Sequence, residues 1–233
     1  MDILVFDDAK DSLQSRGFAH IEDFAPKGPE YSTDFLAFWE RLPLDENFKS
    51  YTTRERRILK YRYTHPGHFE IDRDPVYKPR AQYSIDYVKG ENRLGYAEDD
   101  FIAHPLTGEL IKRDLEAIDF YLEPGKTYRL DINLFRVKAE AGAISPTTSG
   151  IHQDGQDWIF MHFVNASNVQ PVGSIIYEKS TAESKVFQKP LSGFLETLIV
   201  NDRTMYHSAG HVAQINPTIC GYRDIIVAGL SQL

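Results

Sequence analysis

GIHQDGQDWIF, residues 150–160, carries a histidine and an aspartate one residue apart, His152 and Asp154, just before the apolar run Trp158-Ile159-Phe160-Met161. The apolar run reads as a buried strand and the polar residues before it as its corner. Side chains of an extended chain alternate with period two, so a His-x-Asp pair at a strand end presents both groups on one face. One imidazole and one carboxylate held that way can grip a single cation. With a second histidine they make a 2-His-1-carboxylate facial triad, which leaves coordination positions open and suits non-haem Fe(II) chemistry with O2. Taken alone the pair is weak evidence, because the chain has 8 histidines and His-x-Asp arises by chance.

Two downstream histidines compete for the third position. His207 ends the strand-like Arg203-Thr204-Met205-Tyr206-His207, and His211 follows four residues on in a polar turn. A strand leading into His207 would hold its ring rigidly, as a ligand requires, so His207 is preferred. Further on, Gly221-Tyr222-Arg223-Asp224-Ile225-Ile226-Val227-Ala228 places an arginine inside an otherwise apolar strand. A buried guanidinium is costly unless paired, and its fork matches a carboxylate. Asp224 is a poor partner, because adjacent strand residues face opposite ways. Arg223 therefore needs an anion from elsewhere, in a structural pair or from a bound carboxylate.

Around these motifs the chain divides in character. Apolar spacing predicts helices over 7–16, 35–42 and 106–122, closed by Gly17, Pro43 and Pro124-Gly125, with Ser32-Thr33-Asp34 as a cap for the second. Short strands are expected at 18–21 and 58–63. Residues 64–105 are rich in Pro, Gly, Asp and Tyr and read as an irregular stretch of the kind that lids a site. From 128 on, strand-like runs follow one another at 128–137, 158–165, 174–177, 195–200, 204–207 and 222–230, separated by turn residues. Helices first and then many short strands argue a mainly β, α+β chain whose core is a sandwich or barrel. One domain, 1–233, is the simplest reading, with a helical and lid-forming part over 1–125 and a β core over 126–233.

The totals narrow the function. A formal net charge of −8 argues against nucleic acid as a partner. The basic run RERRILKYR, residues 54–62, alternates with apolar residues and reads as a strand with basic edges. The single cysteine, Cys220, rules out an intrachain disulfide framework and any CxxC motif. The start, MDILVFDDAKDSL, is acidic where a secretory signal would be basic, and no run approaches a membrane span, so a cytoplasmic protein with no membrane partner is expected.

HQDG, then YH, then YRDIIV, in that order, resembles the Fe(II)/2-oxoglutarate-dependent dioxygenases, and within them the bacterial amino-acid hydroxylase branch that includes isoleucine 4-hydroxylase. Asn165-Ala166-Ser167 and Leu195-Glu196-Thr197-Leu198 also stand where that branch has an Asn-x-Ser turn and a Leu-Glu-Thr-Leu strand. The likeness runs from about residue 127 to 230, with fainter matches at 15–21 and 56–63. It departs at Gln170-Pro171-Val172-Gly173-Ser174, where the branch has a Gly-Gly-Asp-Asn-like turn. The resemblance implies a double-stranded β-helix (jelly-roll, cupin-like), Fe(II) on His152, Asp154 and His207, and the far carboxylate of 2-oxoglutarate on Arg223. It also implies O2 as cosubstrate and hydroxylation of a small molecule, a free amino acid or similar polar metabolite, with release of succinate and CO2.

Further site residues are expectations with a plain structural alternative beside each. Arg136 could hold a substrate or cosubstrate carboxylate, or form an ion pair. Arg57 and Tyr61 could bind an amino-acid carboxylate, or sit on a solvated strand edge. Asp157 could meet an ammonium group or cap its turn. Trp158 could stack on substrate, though core packing suits it better, and Tyr77, Tyr83, Tyr87 and Tyr96 line a pocket or simply pack. The same chemistry could end in desaturation, cyclisation or epimerisation. A cupin-like metal isomerase or hydrolase without 2-oxoglutarate, and a non-catalytic jelly-roll module, are the other readings, and a homodimer is compatible with all of them.

Overall fold

The computed structural model describes residues 3–24, 29–46, 53–77, 92–139 and 150–233. Its centre is an antiparallel sheet in the order β1 (Phe18–Ile21), β11 (Thr197–Asn201), β8 (Trp158–Ser167), β13 (Gly221–Gln232), β7 (Thr127–Ala139), β2 (Arg54–Thr64) and β3 (His68–Ile71). The short β6 (Gly95–Tyr96) joins β2 in parallel. A second sheet, β10 (Lys185–Pro190), β9 (Gly173–Tyr177) and β12 (Tyr206–Ala209), completes a double-stranded β-helix, and β4 (Val76–Tyr77) pairs with β5 (Asn92–Arg93) beside it.

Both faces of the large sheet are buried, for different reasons. Leu59, Tyr61 and Tyr63 of β2, Leu130, Ile132 and Leu134 of β7, and Ile226, Ala228 and Leu230 of β13 join one apolar cluster. That cluster also holds Leu106, Leu110, Ile111 and Leu115 of α4 (Pro105–Ala117) and Phe35, Phe38 and Trp39. The alternate residues of the same strands look into the jelly roll. There Phe18, Leu198, Val200 and Phe163 meet Ile176 and Met205 across the two sheets.

The helices differ from expectation at their ends. α1 (Ile3–Arg16) stops where Gly17 takes φ +76°, a conformation that favours glycine. α2 (Pro29–Leu36) begins at its proline, before Ser32, since a first-turn residue needs no amide hydrogen bond. It then tightens into a 3-10 turn, Ala37–Arg41. α4 ends at Ala117, and Asp119–Tyr121 is again 3-10. Two strands start late, β11 at Thr197 because Leu195 adopts φ +58°, and β12 at Tyr206 after a turn over 202–204. Between 64 and 105 lie β3 to β6 and a short α3 (Asp99–Ala103), while 78–91, with Tyr83 and Tyr87, lies outside the described residues.

A buried ion pair locks the centre of the sheet against the helices. Arg136 donates to both oxygens of Asp224 on the adjacent strand, at 2.8 and 2.9 Å, and its ring of charge lies 4.1 Å from the Tyr222 ring centroid. Glu40 of the 3-10 turn accepts a third bond at 2.8 Å. Burial pushes the Asp224 carboxyl up to about 6, with Arg136 opposing. Removing one partner leaves the other buried without compensation. Asp224→Ala should therefore destabilise the protein by about 3 kcal/mol in urea denaturation, while the matched apolar pair Arg136→Met with Asp224→Leu should cost clearly less.

Candidate active site

His152 and His207 are held face to face by the backbone. The His152 amide donates to the His207 carbonyl at 3.0 Å and the His207 amide returns a bond of 2.9 Å, an isolated antiparallel bridge at the end of β12. Their ring centroids lie 4.4 Å apart. Asp154, two residues beyond His152, brings its carboxylate oxygens to 3.6 Å from His152 Nε2 and 3.5 Å from His207 Nε2. One donor atom from each residue lies within 4.8 Å of the others, a group that could hold a metal ion. His211 is exposed and outside this group.

The rings are oriented from behind. His152 Nδ1 lies 3.1 Å from the Gly150 carbonyl, which leaves Nε2 for Asp154. His207 Nδ1 is buried without a hydrogen bond, and Asp202 Oδ1 stands 3.5 Å from it. The Asp202 carboxylate also accepts the amides of Asp154, at 3.2 Å, and Gln156, at 2.9 Å. Gly155 at φ +78° lets the chain fold tightly around it and turn into β8.

The charges are strongly coupled. Burial pushes Asp202 up to about 7, with the Asp154 charge adding and His207 opposing. Desolvation opposes ionisation of Asp154, but His207, His152 and Arg56 hold its carboxyl well below the usual range. Burial lowers His152, and the neighbouring His207 lowers it further. Two imidazole nitrogens and a carboxylate converging on one point, with a carboxylate behind one ring, are a donor set that fits divalent iron.

Arg223 lies on the jelly-roll face of β13, one residue from Asp224, which faces the helices. It is 3% exposed, its Nη2 has no hydrogen-bond partner, and no acid pairs with it among the described residues. Burial alone drives its guanidinium down to about 10.

The other expected site residues are not brought to this centre. Arg136 is committed to Asp224 and Glu40 on the helix side, the ion-pair alternative. Arg57 and Tyr61 share that outer face. Arg57 donates to the Tyr96 and Arg41 carbonyls and to Glu98, and Tyr61 packs in the helix-side core. β2 is not an edge strand there, because β7 and β6 flank it. Asp157 is 1% exposed and anchors the chain, with Arg203 at 2.6–2.7 Å and the Gln232 amide at 2.8 Å. Trp158 packs edge-on against Phe120 and Tyr121 on the helix side. Tyr96 donates to the Asp72 carbonyl at 2.9 Å.

What the sequence reading missed sits one residue away. Arg54, Arg56, Ile58 and Lys60 face the jelly roll with Val137, Phe135, Asn133 and Asp131 of β7. Arg56 is within electrostatic reach of Asp154, as is Tyr77, which the sequence offers as a pocket-lining residue. The parity was readable: Leu59, Tyr61 and Tyr63 are the apolar set of β2, so the arginine in phase with them, Arg57, belongs to the helix side. Asp202 carried no local signal.

If Asp202 orients His207, Asp202→Asn should weaken Mn(II) binding roughly 10- to 100-fold, read by paramagnetic resonance titration. Unchanged affinity would refute the orienting role.

The comparisons agree with this geometry. The family model for the 2OG-Fe dioxygenases matches residues 36–229. An L-isoleucine-4-hydroxylase of Bacillus thuringiensis is 24% identical over 225 residues, covering 94% of this chain and 92% of that one. The crystal structure of IDO from Bacillus thuringiensis superposes with a TM-score of 0.81 at 17% identity, over 97% of this chain and 95% of that one. A bsmA homologue from Methylobium petroleophilum gives 0.85 at 21% identity, over 97% and 92%. With a jelly roll carrying two histidines and an aspartate at one end, and a family match across most of its length, the chain belongs to the 2OG-Fe dioxygenases and is an enzyme that uses Fe(II), 2-oxoglutarate and O2.

Proposed function

We propose that this enzyme hydroxylates an unactivated C–H bond of a free L-amino acid, with Fe(II) on His152, Asp154 and His207 and the far carboxylate of 2-oxoglutarate on Arg223. The observation that carries the reading is Arg223: a buried cation with no acidic partner among the described residues, on the jelly-roll face of its strand, toward which His207 is also turned opposite Ile176. A dianionic cosubstrate held at one end by the metal supplies a carboxylate for it. The amino-acid substrate rests on the likeness to a protein named an L-isoleucine-4-hydroxylase.

The reaction consumes R–H, 2-oxoglutarate and O2 and yields R–OH, succinate and CO2. The metal supplies O2 activation coupled to decarboxylation of the keto acid. The protein's part is positional. The His152–His207 backbone bridge fixes two ligands, Asp202 aims the second ring, and Arg223 sets the reach of the cosubstrate into the jelly roll.

Anaerobic addition of Fe(II) and then 2-oxoglutarate should produce the weak visible band of a chelated keto acid. His207→Ala should abolish it, and Arg223→Met should raise the 2-oxoglutarate concentration needed by roughly 100-fold, the loss expected for an unpaired buried carboxylate. An amino-acid panel followed by succinate detection then tests the substrate class. No band with metal bound would overturn the ligand assignment.

A further inference from the structure

The interior face of the large sheet is unusually rich in cations, and most are spoken for. Arg54 donates to Asp45 at 2.7 Å, and Lys60 reaches Asp72 at 3.3 Å and the carbonyls of Asp74 and Val76. Arg129 lies 3.0 Å from Asp131. Two buried arginines on this face have no hydrogen bond to a carboxylate among the described residues. One is Arg223. The other is Arg56, 5% exposed, whose Nε and Nη2 both turn to one neutral oxygen, Asn133 Oδ1, at 3.2 and 2.7 Å. Its nearest acid, Asp45, is 3.7 Å away and engaged by Arg54.

Arg56 is also rigidly presented. Its guanidinium carbon lies 4.9 Å from the Phe135 ring centroid and 4.8 Å from that of Tyr77. Aromatic contacts and the Asn133 fork fix the plane of the group, with Nη1 3.7 Å from Asp45 and, like one Nη2 proton, making no hydrogen bond among the described residues. Asp45 is the acid it feels most, with Asp131 and Asp154 weaker, and a divalent ion would neutralise the Asp154 carboxylate. The reaction brings two carboxylates that the metal does not take, one from the cosubstrate and one from an amino acid. Among the described residues the fold offers two buried guanidinium groups without a hydrogen bond to a carboxylate, Arg223 and Arg56, the latter sharing Asp45 at 3.7 Å with Arg54.

We propose that Arg56, clamped by Asn133, Phe135 and Tyr77, is the specificity-determining residue that receives the α-carboxylate of the substrate. The assignment rests on the amino-acid reading above and deepens it. Arg56, rather than its neighbour Arg57, then selects free amino acids over their amides or peptide-linked forms.

The test is calorimetric and needs no turnover. Anaerobic enzyme loaded with Mn(II) and 2-oxoglutarate is titrated with L-isoleucine, L-leucine and L-methionine and with their primary amides. The wild type should favour at least one acid over its amide by about 30-fold or more, because a site built for a charged partner rejects its neutral isostere. In Arg56→Met that ratio should fall below about 5, and in Arg56→Lys, which keeps charge but loses the fork, it should drop by about 10-fold. A merely structural arginine would weaken acid and amide alike and leave the ratio unchanged, which would sink the assignment. So would a loss of 2-oxoglutarate affinity with the ratio intact. If Arg56→Met does not fold, judged by Mn(II) binding, Arg56→Lys decides alone. Wild-type enzyme that binds none of the acids would remove the amino-acid reading, and this assignment with it.

Discussion

A β-strand turns successive side chains to opposite faces, and in this protein both faces of the central strands β8, β13 and β7 are largely covered. One is packed by helices and the other by the second sheet. Every buried charged residue on β2, β7 and β13 must therefore find a partner on its own face or remain uncompensated. Arg136 and Asp224 solve this on the helix side. Arg223, one residue from Asp224, is left on the other side with no acidic partner among the described residues. Parity along a strand thus separates a stabilising ion pair from an arginine with no acidic partner among the described residues.

The metal-type ligands obey a different constraint. His152 and His207 lie 55 positions apart in sequence numbering and meet because two backbone hydrogen bonds join them across the mouth of the barrel. That bridge costs the side chains nothing and sets their separation before any ion binds. Asp202 then serves two ends, accepting the amides that shape the ligand loop and standing behind the His207 ring. A single carboxylate couples the loop's conformation to the ring's orientation, so a change in either is felt by the other.

Much of the site was legible in the order of motifs. His152-x-Asp154, a histidine beside a later strand, and an arginine in an apolar closing strand are local patterns, although His152 and Asp154 lie in a loop before β8 and His207 stands near the start of β12. The preference for His207 over His211 came from the same logic, and the structure gathers His207 with the other two. The substrate-side expectations fared differently. Arg57 and Tyr61 were taken from a basic, aromatic run without assigning its faces, and a shift of one residue carried them to the helices. Asp157 was read beside the ligand loop, yet it points away to Arg203 and the C-terminal strand.

By itself, then, the amino-acid sequence determined the class of core, the metal-type triad and the arginine in need of an anion, because each rests on residues close in sequence and on a fixed backbone period. Only the tertiary structure decided which buried cations were already compensated. Asp45 with Arg54 and Asp224 with Arg136 are compensated pairs, whereas Arg56 meets only the neutral Asn133 amide by hydrogen bond, in contacts between residues up to 88 positions distant. No local pattern encodes register between distant strands. It emerges when both sheet faces are buried at once and each charge must settle where a partner exists.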